Sequence, residues 1–310
     1  MVTRLVLDCD PGHDDALAIL LAVADPAVEL LAVTTVAGNQ TVDKCTVNAR
    51  RVLSLAGVTS VPVARGADRP LVRPLRIADD VHGGTGLDGP TFADSPSVPE
   101  SDLSAQELLV DVLRTPATVV ATGALTNLAR LITEAPAAAA NITEIVWMGG
   151  STDRGNIAPL AEANAYVDPE AADLVVRSGI PFTMCGLNVT HQALVTADIL
   201  ARLERIGSPL ARVCGEWMTF FASTYEQLFG FESPPLHDPV AVARVIDPTI
   251  VDCVDANLVV ETTGEWTAGA TVVDLDGYTG RPPNARIAVR LDREAFWNKL
   301  LGAISALPVC

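Results

Sequence analysis

The chain alternates short, continuously apolar runs with longer stretches in which apolar residues recur at helical spacing. Short apolar runs rich in β-branched residues indicate buried strands, and the periodic stretches indicate helices. Strands are predicted at Leu5–Leu7, Val28–Val36, Ala117–Ala121, Glu144–Met148 and Pro181–Cys185. Helices are predicted at Asp14–Ala24, Val42–Ala56 and Pro169–Ser178. This alternation predicts an α/β fold with a mostly parallel central sheet and helices on both faces.

The organisation of the chain favours one domain over residues 1–310, because no internal repeat or low-complexity linker interrupts the pattern. The longest irregular region, Arg69–Pro99, is rich in proline and charge, and we interpret it as a long functional loop. The clearest apolar stretch, Ala16–Ala24, is too short to span a membrane and is bracketed by aspartates.

Composition narrows the possible partners. The net charge is -17 and only two lysines occur, so a nucleic-acid partner, which needs clustered cations, is not expected. An acidic chain favours a neutral or cationic ligand, or a metal. The six cysteines, which include Cys310, form no CxxC pair, and the first residues do not resemble a signal peptide. We therefore expect a cytoplasmic protein with reduced thiols.

Oxygen donors and small residues follow the predicted strands. In open α/β sheets ligands bind at the carboxyl ends of the strands, so these positions are the candidates for a site. They are Asp8 and Asp10, Gly38 and Asn39, Thr122, Gly149 and Gly150, and Gly186 and Asn188.

The turn after the first strand, Asp8-Cys9-Asp10-Pro11-Gly12-His13-Asp14-Asp15-Ala16, is unusually acidic. Helix capping accounts for Asp14 and Asp15 at a helix start, but leaves Asp8 and Asp10 without a reason. Closely spaced carboxylates repel one another and must bind a proton or a cation. All-oxygen ligands exclude soft metals and favour Ca²⁺ or Mg²⁺.

Two other kinds of site share some of these features. A strand ending in DxD also occurs in phosphoryl-transfer enzymes that hold Mg²⁺, but these need cations for the phosphate and this chain has almost no lysine. Gly84–Gly89 fits GxGxxG, yet no predicted strand precedes it and Pro90 follows it, so we exclude a dinucleotide site.

Two distant segments carry further candidate groups. The segment His237-Asp238-Pro239 predicts a helix start with Asp238 as N-cap. Asp238 and His237 are candidate site residues, but a helix cap and an ordinary loop histidine would explain their presence equally well. Asn156, Glu162 and Asn164 form either a polar loop or an amide-carboxylate set suited to neutral hydroxyl groups.

An aromatic repeat occurs at Phe221, Tyr225 and Phe229, one residue per helical turn. Such a stripe is typical of a helix packed on a core, and it also suits a wall on which a nucleobase stacks.

These motifs together resemble the inosine-uridine preferring nucleoside hydrolases over nearly the whole chain. Each motif is short, but their joint occurrence in this order is specific. They are DCDPGHDDA at 8–16, VAGN at 36–39, VHGGTGL at 81–87, ATGALTN at 121–127, MGG at 148–150, the Asn156/Glu162/Asn164 run ahead of DPE at 168–170, and HDP at 237–239. Ala163 and Ala124 depart mildly from the pattern.

The resemblance implies a nucleoside hydrolase fold, a homodimer or homotetramer, bound Ca²⁺, cleavage of the N-glycosidic bond of ribonucleosides and a role in nucleoside salvage. The implied Ca²⁺ ligands are Asp10, Asp15, the Thr122 carbonyl and Asp238. The implied ribose contacts are Asp14, Asn39, Asn156, Glu162 and Asn164, and His82 and His237 would lie near the base, where Tyr225 is a further candidate.

The chemistry then expected proceeds through an oxocarbenium-like state, as in glycoside hydrolysis generally. We expect Asp10 to act as general base toward water and His237 as acid toward the leaving base. Two alternatives remain at this point: a nucleoside-binding protein that has lost turnover and, less favoured, a Mg²⁺-dependent phosphatase. The sequence does not decide between purine and pyrimidine nucleosides.

Overall fold

The computed structural model describes residues 2–92 and 95–307. Nine strands form one sheet, in the order β3-β2-β1-β4-β5-β6-β9-β7-β8. The strands are β1 (Thr3–Cys9), β2 (Val28–Thr35), β3 (Val63–Arg65), β4 (Ala117–Ala121), β5 (Ile142–Met148), β6 (Phe182–Cys185), β7 (Val251–Val260), β8 (Thr271–Asp274) and β9 (Ala285–Leu291). Neighbours from β3 to β9 pair in parallel, and β7 pairs antiparallel with both β9 and β8.

The helices cover both faces of this sheet, and several of the shortest lie in the connections near the site. They are α1 (His13–Ala24), α2 (Val42–Leu55), α3 (Asp79–His82), α4 (Ala105–Val112), α5 (Thr126–Glu134), α6 (Pro136–Ala139), α7 (Ala163–Val167), α8 (Pro169–Val176), α9 (Leu187–Thr190), α10 (Ala197–Ile206), α11 (Pro209–Phe229), α12 (Asp238–Ile246) and α13 (Arg293–Ala306). A short 3-10 helix, Pro248–Ile250, precedes β7.

The side chains of β1 alternate between two hydrophobic cores, which shows why the strand is apolar throughout. Leu5 and Leu7 pack in the core beneath α1, α12 and α13, whereas Val6 packs in the core beneath α4, α5 and α8. Helices on both faces remove both sides of the strand from water, so neither side tolerates polar residues. The predicted fold class is confirmed.

All the predicted strands and helices are present, with ends displaced by at most two residues. Sequence reasoning did not find β3, which is very short, or the β7–β9 segment. In β7, aspartates at 252 and 255 face outward and interrupt the continuous apolar pattern of the inner strands. The long irregular region contains only the short helix α3 and lies partly outside the described residues.

One predicted helix start is wrong by a residue. Asp238 was expected as N-cap, but it is the first helical residue of α12, and His237 holds the cap position without a capping hydrogen bond from its side chain. The Asp238 carboxylate faces the carboxylates of Asp14 and Asp15 instead of the backbone of its own first turn.

No helix in the described part of the chain is both long enough and apolar enough to cross a bilayer. The cysteines at 9, 45, 185, 214 and 253 are free thiols, and Cys310 lies outside the described residues.

Candidate active site

The strand order places the site. Strand order reverses between β1 and β4, since the chain runs outward through β2 and β3 on one side and through β5 and β6 on the other. Such a switch point leaves a crevice beyond the carboxyl ends of the strands, where ligands bind in open α/β sheets. Asp10 follows β1 at this crevice, and Thr122 follows β4.

Three buried aspartates meet in the crevice. Asp14 and Asp15 lie in the first turn of α1, and Asp238 opens α12. Each offers a carboxylate oxygen, and these oxygens all lie within 4.8 Å of one another. Residues from the two ends of the sequence therefore form one acidic centre.

The electrostatics of this centre favour a bound cation. Burial, reinforced by the charge of Asp15, raises the pKa of Asp14 to about 7. Burial and the neighbouring aspartates raise the pKa of Asp238 well above its usual value. Among residues 2–92 and 95–307, no lysine or arginine pairs with these carboxylates. A hard cation with oxygen ligands would offset the repulsion, so the donor set fits a metal such as Ca²⁺ or Mg²⁺.

Asp10 lies beside this group and is fully buried. Its Oδ2 accepts a hydrogen bond of 2.7 Å from the backbone N–H of Asn39, while its buried Oδ1 has no partner among the described residues. Glycines at 38 and 123 make room for it, since a Cβ built on Gly123 would lie 2.7 Å from Oδ1. Burial raises the pKa of Asp10 well above its usual value.

Hydrogen bonds hold the remaining groups around the aspartates. The Thr122 hydroxyl donates to Asp15 Oδ1 at 2.7 Å, and the Asn39 amide donates to Asp15 Oδ2 at 3.0 Å. The Asn164 amide donates to the Thr122 carbonyl at 2.8 Å and to the Met148 carbonyl at 3.0 Å. A carbonyl oxygen has two lone pairs, so that of Thr122 keeps one for another ligand.

Glu162 and Asn156 fix the opposite wall. The Glu162 carboxylate accepts hydrogen bonds from the backbone N–H groups of Gly150, Asn164 and Ala165 at 2.7, 2.9 and 3.1 Å. Burial nevertheless raises its pKa to about 7. The side-chain Oδ1 of Asn156 accepts a hydrogen bond from the Ala163 N–H at 2.9 Å, which orients the side-chain amide.

The aromatic end of the site is built on α11 and on the turn before α12. The Tyr225 hydroxyl and Nε2 of His237 form a hydrogen bond of 2.9 Å, and the Thr190 hydroxyl bonds Nδ1 of His237 at 2.8 Å. Burial lowers the pKa of His237 to about 3, so its ring is neutral at neutral pH. Of the predicted stripe, Phe221 is core and packs beneath His82, whereas Tyr225 and Phe229 line the cavity.

These groups surround one cavity of about 460 Å³, within the usual range for small-molecule sites. Eleven of the residues singled out by the sequence line it, namely Asp14, Asn39, His82, Thr122, Asn156, Glu162, Asn164, Tyr225, Phe229, His237 and Asp238. Asp10 and Asp15 lie behind this lining and complete the acidic floor through the contacts described above.

Other lining residues were not named as site residues from the sequence, although Val81 and Met148 belong to the motifs that carry the family resemblance. Arg76–Val81, Met148, Ile157 and Leu228 also border the cavity. Segment 76–81 lies within the region 69–99, which the sequence predicts to be a functional loop, and it directly precedes His82. His13, which contacts His82, was also missed, although it sits inside the acidic motif itself.

Comparison with known proteins agrees with this geometry. The family model described as inosine-uridine preferring nucleoside hydrolase matches residues 5–298. A protein named pyrimidine-specific ribonucleoside hydrolase RihA from Shewanella sp. (strain ANA-3) is 46% identical over 309 residues, covering 98% of this chain and 97% of the relative. RihA from Enterobacter sp. (strain 638) is 46% identical over 300 residues, covering 96% of each.

Solved structures give the same result. A purine-preferring ribonucleoside hydrolase from Gardnerella vaginalis superimposes with a TM-score of 0.91 at 32% identity, covering 98% of this chain and 99% of that one. The plant nucleoside hydrolase PpNRh1 gives a TM-score of 0.90 at 33% identity, covering 99% and 100%. Fold, site and relatives define an N-glycosyl hydrolase acting on ribonucleosides. The chain belongs to the inosine-uridine preferring nucleoside hydrolase family.

Proposed function

We propose that this enzyme cleaves the N-glycosidic bond of pyrimidine ribonucleosides, with Ca²⁺ as its metal, and releases free base and ribose. The observation that carries the proposal is the meeting of Asp14, Asp15 and Asp238 in a cavity that also presents Glu162 and Asn164. Such a cavity offers a cation site and groups that bind neutral hydroxyls side by side.

The residues that would hold Ca²⁺ are Asp10, Asp15, the Thr122 carbonyl and Asp238. Two observations indicate that these residues suit a calcium ion. Buried carboxylate oxygens of Asp10 and Asp14 have no protein partner among the described residues. The atoms that could bind the metal are all oxygens. When bound, the ion supplies positive charge that orients the vicinal hydroxyls of a ribose and a water molecule.

The sugar would be held by Asp14, Asn156, Glu162 and Asn164. The backbone bonds of Glu162 and Asn164 leave them rigid before substrate arrives, which reduces the entropy lost on binding. Asn39, also predicted as a ribose contact, donates its side-chain amide to Asp15, so we assign its first role to holding that carboxylate.

Asp10 is the proposed general base. The Asn39 N–H fixes one of its oxygens, and the other is buried without a partner, so it can accept a proton from a water molecule. The carboxylates of Asp14 and Glu162 would stabilise positive charge that develops on the sugar.

The leaving base needs a proton, and the structure refines the prediction for His237. Nε2 of His237 is bonded to the Tyr225 hydroxyl, so a proton from this nitrogen would reach the leaving base through Tyr225. Because the buried ring of His237 is neutral, it can pass on a proton without keeping a positive charge.

The preference for pyrimidines rests on the relatives. The curated proteins about 46% identical to this chain are named pyrimidine-specific, whereas the purine-preferring structure is 32% identical. A panel of uridine, cytidine, inosine, adenosine and guanosine, followed by reducing-sugar release, tests the proposal. We expect kcat/KM for uridine or cytidine to exceed that for every purine nucleoside at least about tenfold, which corresponds to about 1.4 kcal/mol. Equal or better purine cleavage would refute the preference, and no ribose release at all would refute the activity.

We also propose that residues 1–310 act as one domain, and that copies of the chain assemble as a homodimer or homotetramer in the cytoplasm. The single continuous sheet supports the first statement, and the free thiols suit a reducing compartment. Light scattering of the purified enzyme would measure the assembly.

A further inference from the structure

Behind the cavity wall, His13 contacts both ends of the loop that carries His82. His13 is completely buried at the first turn of α1. Its Nε2 lies 2.8 Å from the carbonyl oxygen of Asp88, and its Nδ1 lies 3.1 Å from Nδ1 of His82. The absence of a side chain at Gly12 permits this approach, since a Cβ there would lie 2.5 Å from Nδ1 of His82.

The proton positions follow from these distances. A carbonyl oxygen only accepts, so Nε2 of His13 must carry a proton. Among the described residues no carboxylate bonds to the His13 ring, so nothing holds it in the charged form and the neutral imidazole carries that single proton. Nδ1 of His13 is therefore an acceptor, and Nδ1 of His82 must donate to it. If Nδ1 of His82 were the acceptor, the single proton of His13 would lie on its Nδ1. The lone pair of His13 Nε2 would then face the lone pairs of the Asp88 carbonyl oxygen at 2.8 Å.

One longer contact opposes this arrangement and does not outweigh it. The backbone N–H of His13 lies 3.3 Å from Nδ1 of His82 and cannot donate to a nitrogen that is itself a donor. The arrangement thus satisfies the contacts at 2.8 and 3.1 Å and gives up the one at 3.3 Å. Hydrogen bonds near the upper end of the distance range are the weaker ones.

We propose that His13 is a positioning residue that fixes the tautomer of His82, so that His82 presents Nε2 to the cavity as a hydrogen-bond acceptor. His82 lines the cavity, and within the described residues its Nε2 has no hydrogen-bond partner. The acceptor would select nucleobases that offer an N–H group to it. The inference rests on the proposed nucleoside hydrolase function and deepens it.

The packing keeps His13 in place for this role. Its ring stacks on that of Phe220 at a centroid distance of 5.3 Å, and it lies edge to edge with that of His82 at 5.4 Å, both with interplanar angles of 18°. The Asp88 carboxylate accepts from the N–H groups of Gly84 and Thr85 at 2.8 and 3.0 Å, which holds the loop in shape. His13 therefore joins the acidic turn to the loop that faces the base.

Three variants separate a tautomer role from simple packing. His13→Asn keeps an acceptor near the Nδ1 position but loses the ring, whereas His13→Phe keeps the ring and loses the acceptor. Phe220→Leu removes a stacking partner and leaves both hydrogen bonds intact. The readout is the ratio of kcat/KM for uridine to that for p-nitrophenyl riboside, whose leaving group has no ring N–H.

We expect His13→Phe to lower this ratio about three- to tenfold, the effect of one lost hydrogen bond, and the other two variants to hold it within about twofold. A packing role predicts the reverse order, with His13→Phe better than His13→Asn, and that result would overturn the proposal.

Histidine-selective ¹⁵N spectra test the tautomer directly, because the chain has only four histidines. His82→Gln assigns the His82 signals. We expect a protonated Nδ1 and an unprotonated Nε2 on His82 in the wild-type protein, and loss of this preference in His13→Phe. A protonated Nε2 in the wild type, or an unchanged His82 in His13→Phe, would refute the inference. Failure of the wild type to cleave uridine would instead refute the proposed function, since the spectra do not depend on turnover.

Discussion

Asp8 and Asp10 lie two residues apart at the end of the same strand, yet the structure gives them different roles. Asp8 accepts hydrogen bonds from the Thr34 hydroxyl at 2.6 Å and the Asn127 amide at 2.8 Å, so one of its oxygens supports the fold. Asp10 borders the acidic centre and keeps an oxygen without a partner. Asp8 Oδ2 is also buried without a partner among the described residues, so a free oxygen alone does not mark a chemical group. At the scale of the residue, the position of Asp10 beside Asp14, Asp15 and Asp238 distinguishes it from Asp8.

Asp10→Asn tests this distinction. Removal of a general base is expected to lower kcat on p-nitrophenyl riboside and on uridine by about 10²–10⁴-fold. Asp8→Asn is the matched control, because it makes the same change on the same strand without reaching the cavity, and it should retain activity within a few fold. Similar losses in both variants would contradict the assignment of Asp10.

Glu162 gives a pH dependence whose sign follows from its pKa. The folded value of about 7 lies above the ordinary value of 4.5, so folding favours the protonated acid. The resulting stability, roughly 3 kcal/mol, is present below about pH 4.5 and is lost as the pH rises through 7. In metal-free protein, the Tm of the wild type should therefore fall relative to that of Glu162→Gln between pH 4.5 and 7. A constant difference across this range would contradict the raised pKa.

Single residues of the site were largely accessible to sequence reasoning, because carboxylates crowded into one turn repel one another and so indicate a bound cation. His13 was not, since a lone histidine beside them gives no sign of its contact with His82, which is 69 positions away. The hydrogen bond between Tyr225 and His237 was also hidden, because it depends on how α11 approaches α12.

At the scale of the element, the ends of the strands decide how closely the acidic groups approach. Gly38 follows β2, and a Cβ there would collide with the Asp10 carboxylate. Its backbone conformation does not itself require glycine, so the close approach is the reason for the small residue. The segment after β2 therefore has a glycine at the point where its backbone meets the Asp10 carboxylate.

Gly38→Ala should therefore displace Asp10 and lower kcat on uridine by at least about tenfold, as expected when a reacting group is misplaced. Gly302→Ala in α13 is the matched control, because nothing lies within 4 Å of its added Cβ. It should leave activity intact and stabilise the helix by roughly 0.5–1 kcal/mol in a denaturation curve. Full activity of Gly38→Ala would show that the carboxylate tolerates the methyl group.

Inner strands and amphipathic helices were predictable because burial on both sides leaves a continuous apolar signature. The strands of the antiparallel edge were not, since solvent on one side allows aspartates into β7. The start of α12 was displaced by one residue because Asp238 turns its carboxylate to the site instead of capping its helix.

At the scale of the whole molecule, the fold joins residues that are more than 220 positions apart in the sequence. Asp14 and Asp15 come from the first helix, and Asp238 comes from a helix packed against it on the same face of the sheet. The motifs that resemble the family indicated which residues belong to the site. Periodicity alone gives neither the strand order nor the switch point that brings them together.

The central claim is that Asp10, Asp15 and Asp238 hold a calcium ion that uridine hydrolysis requires. The most direct measurement is the titration of Ca²⁺ into chelator-treated enzyme, with uridine hydrolysis followed in the wild type and in Asp238→Asn. We expect negligible activity without the metal, full recovery at about one Ca²⁺ per chain in the wild type, and little recovery in the variant. Full activity of the metal-free wild type, or equal recovery in both proteins, would contradict it.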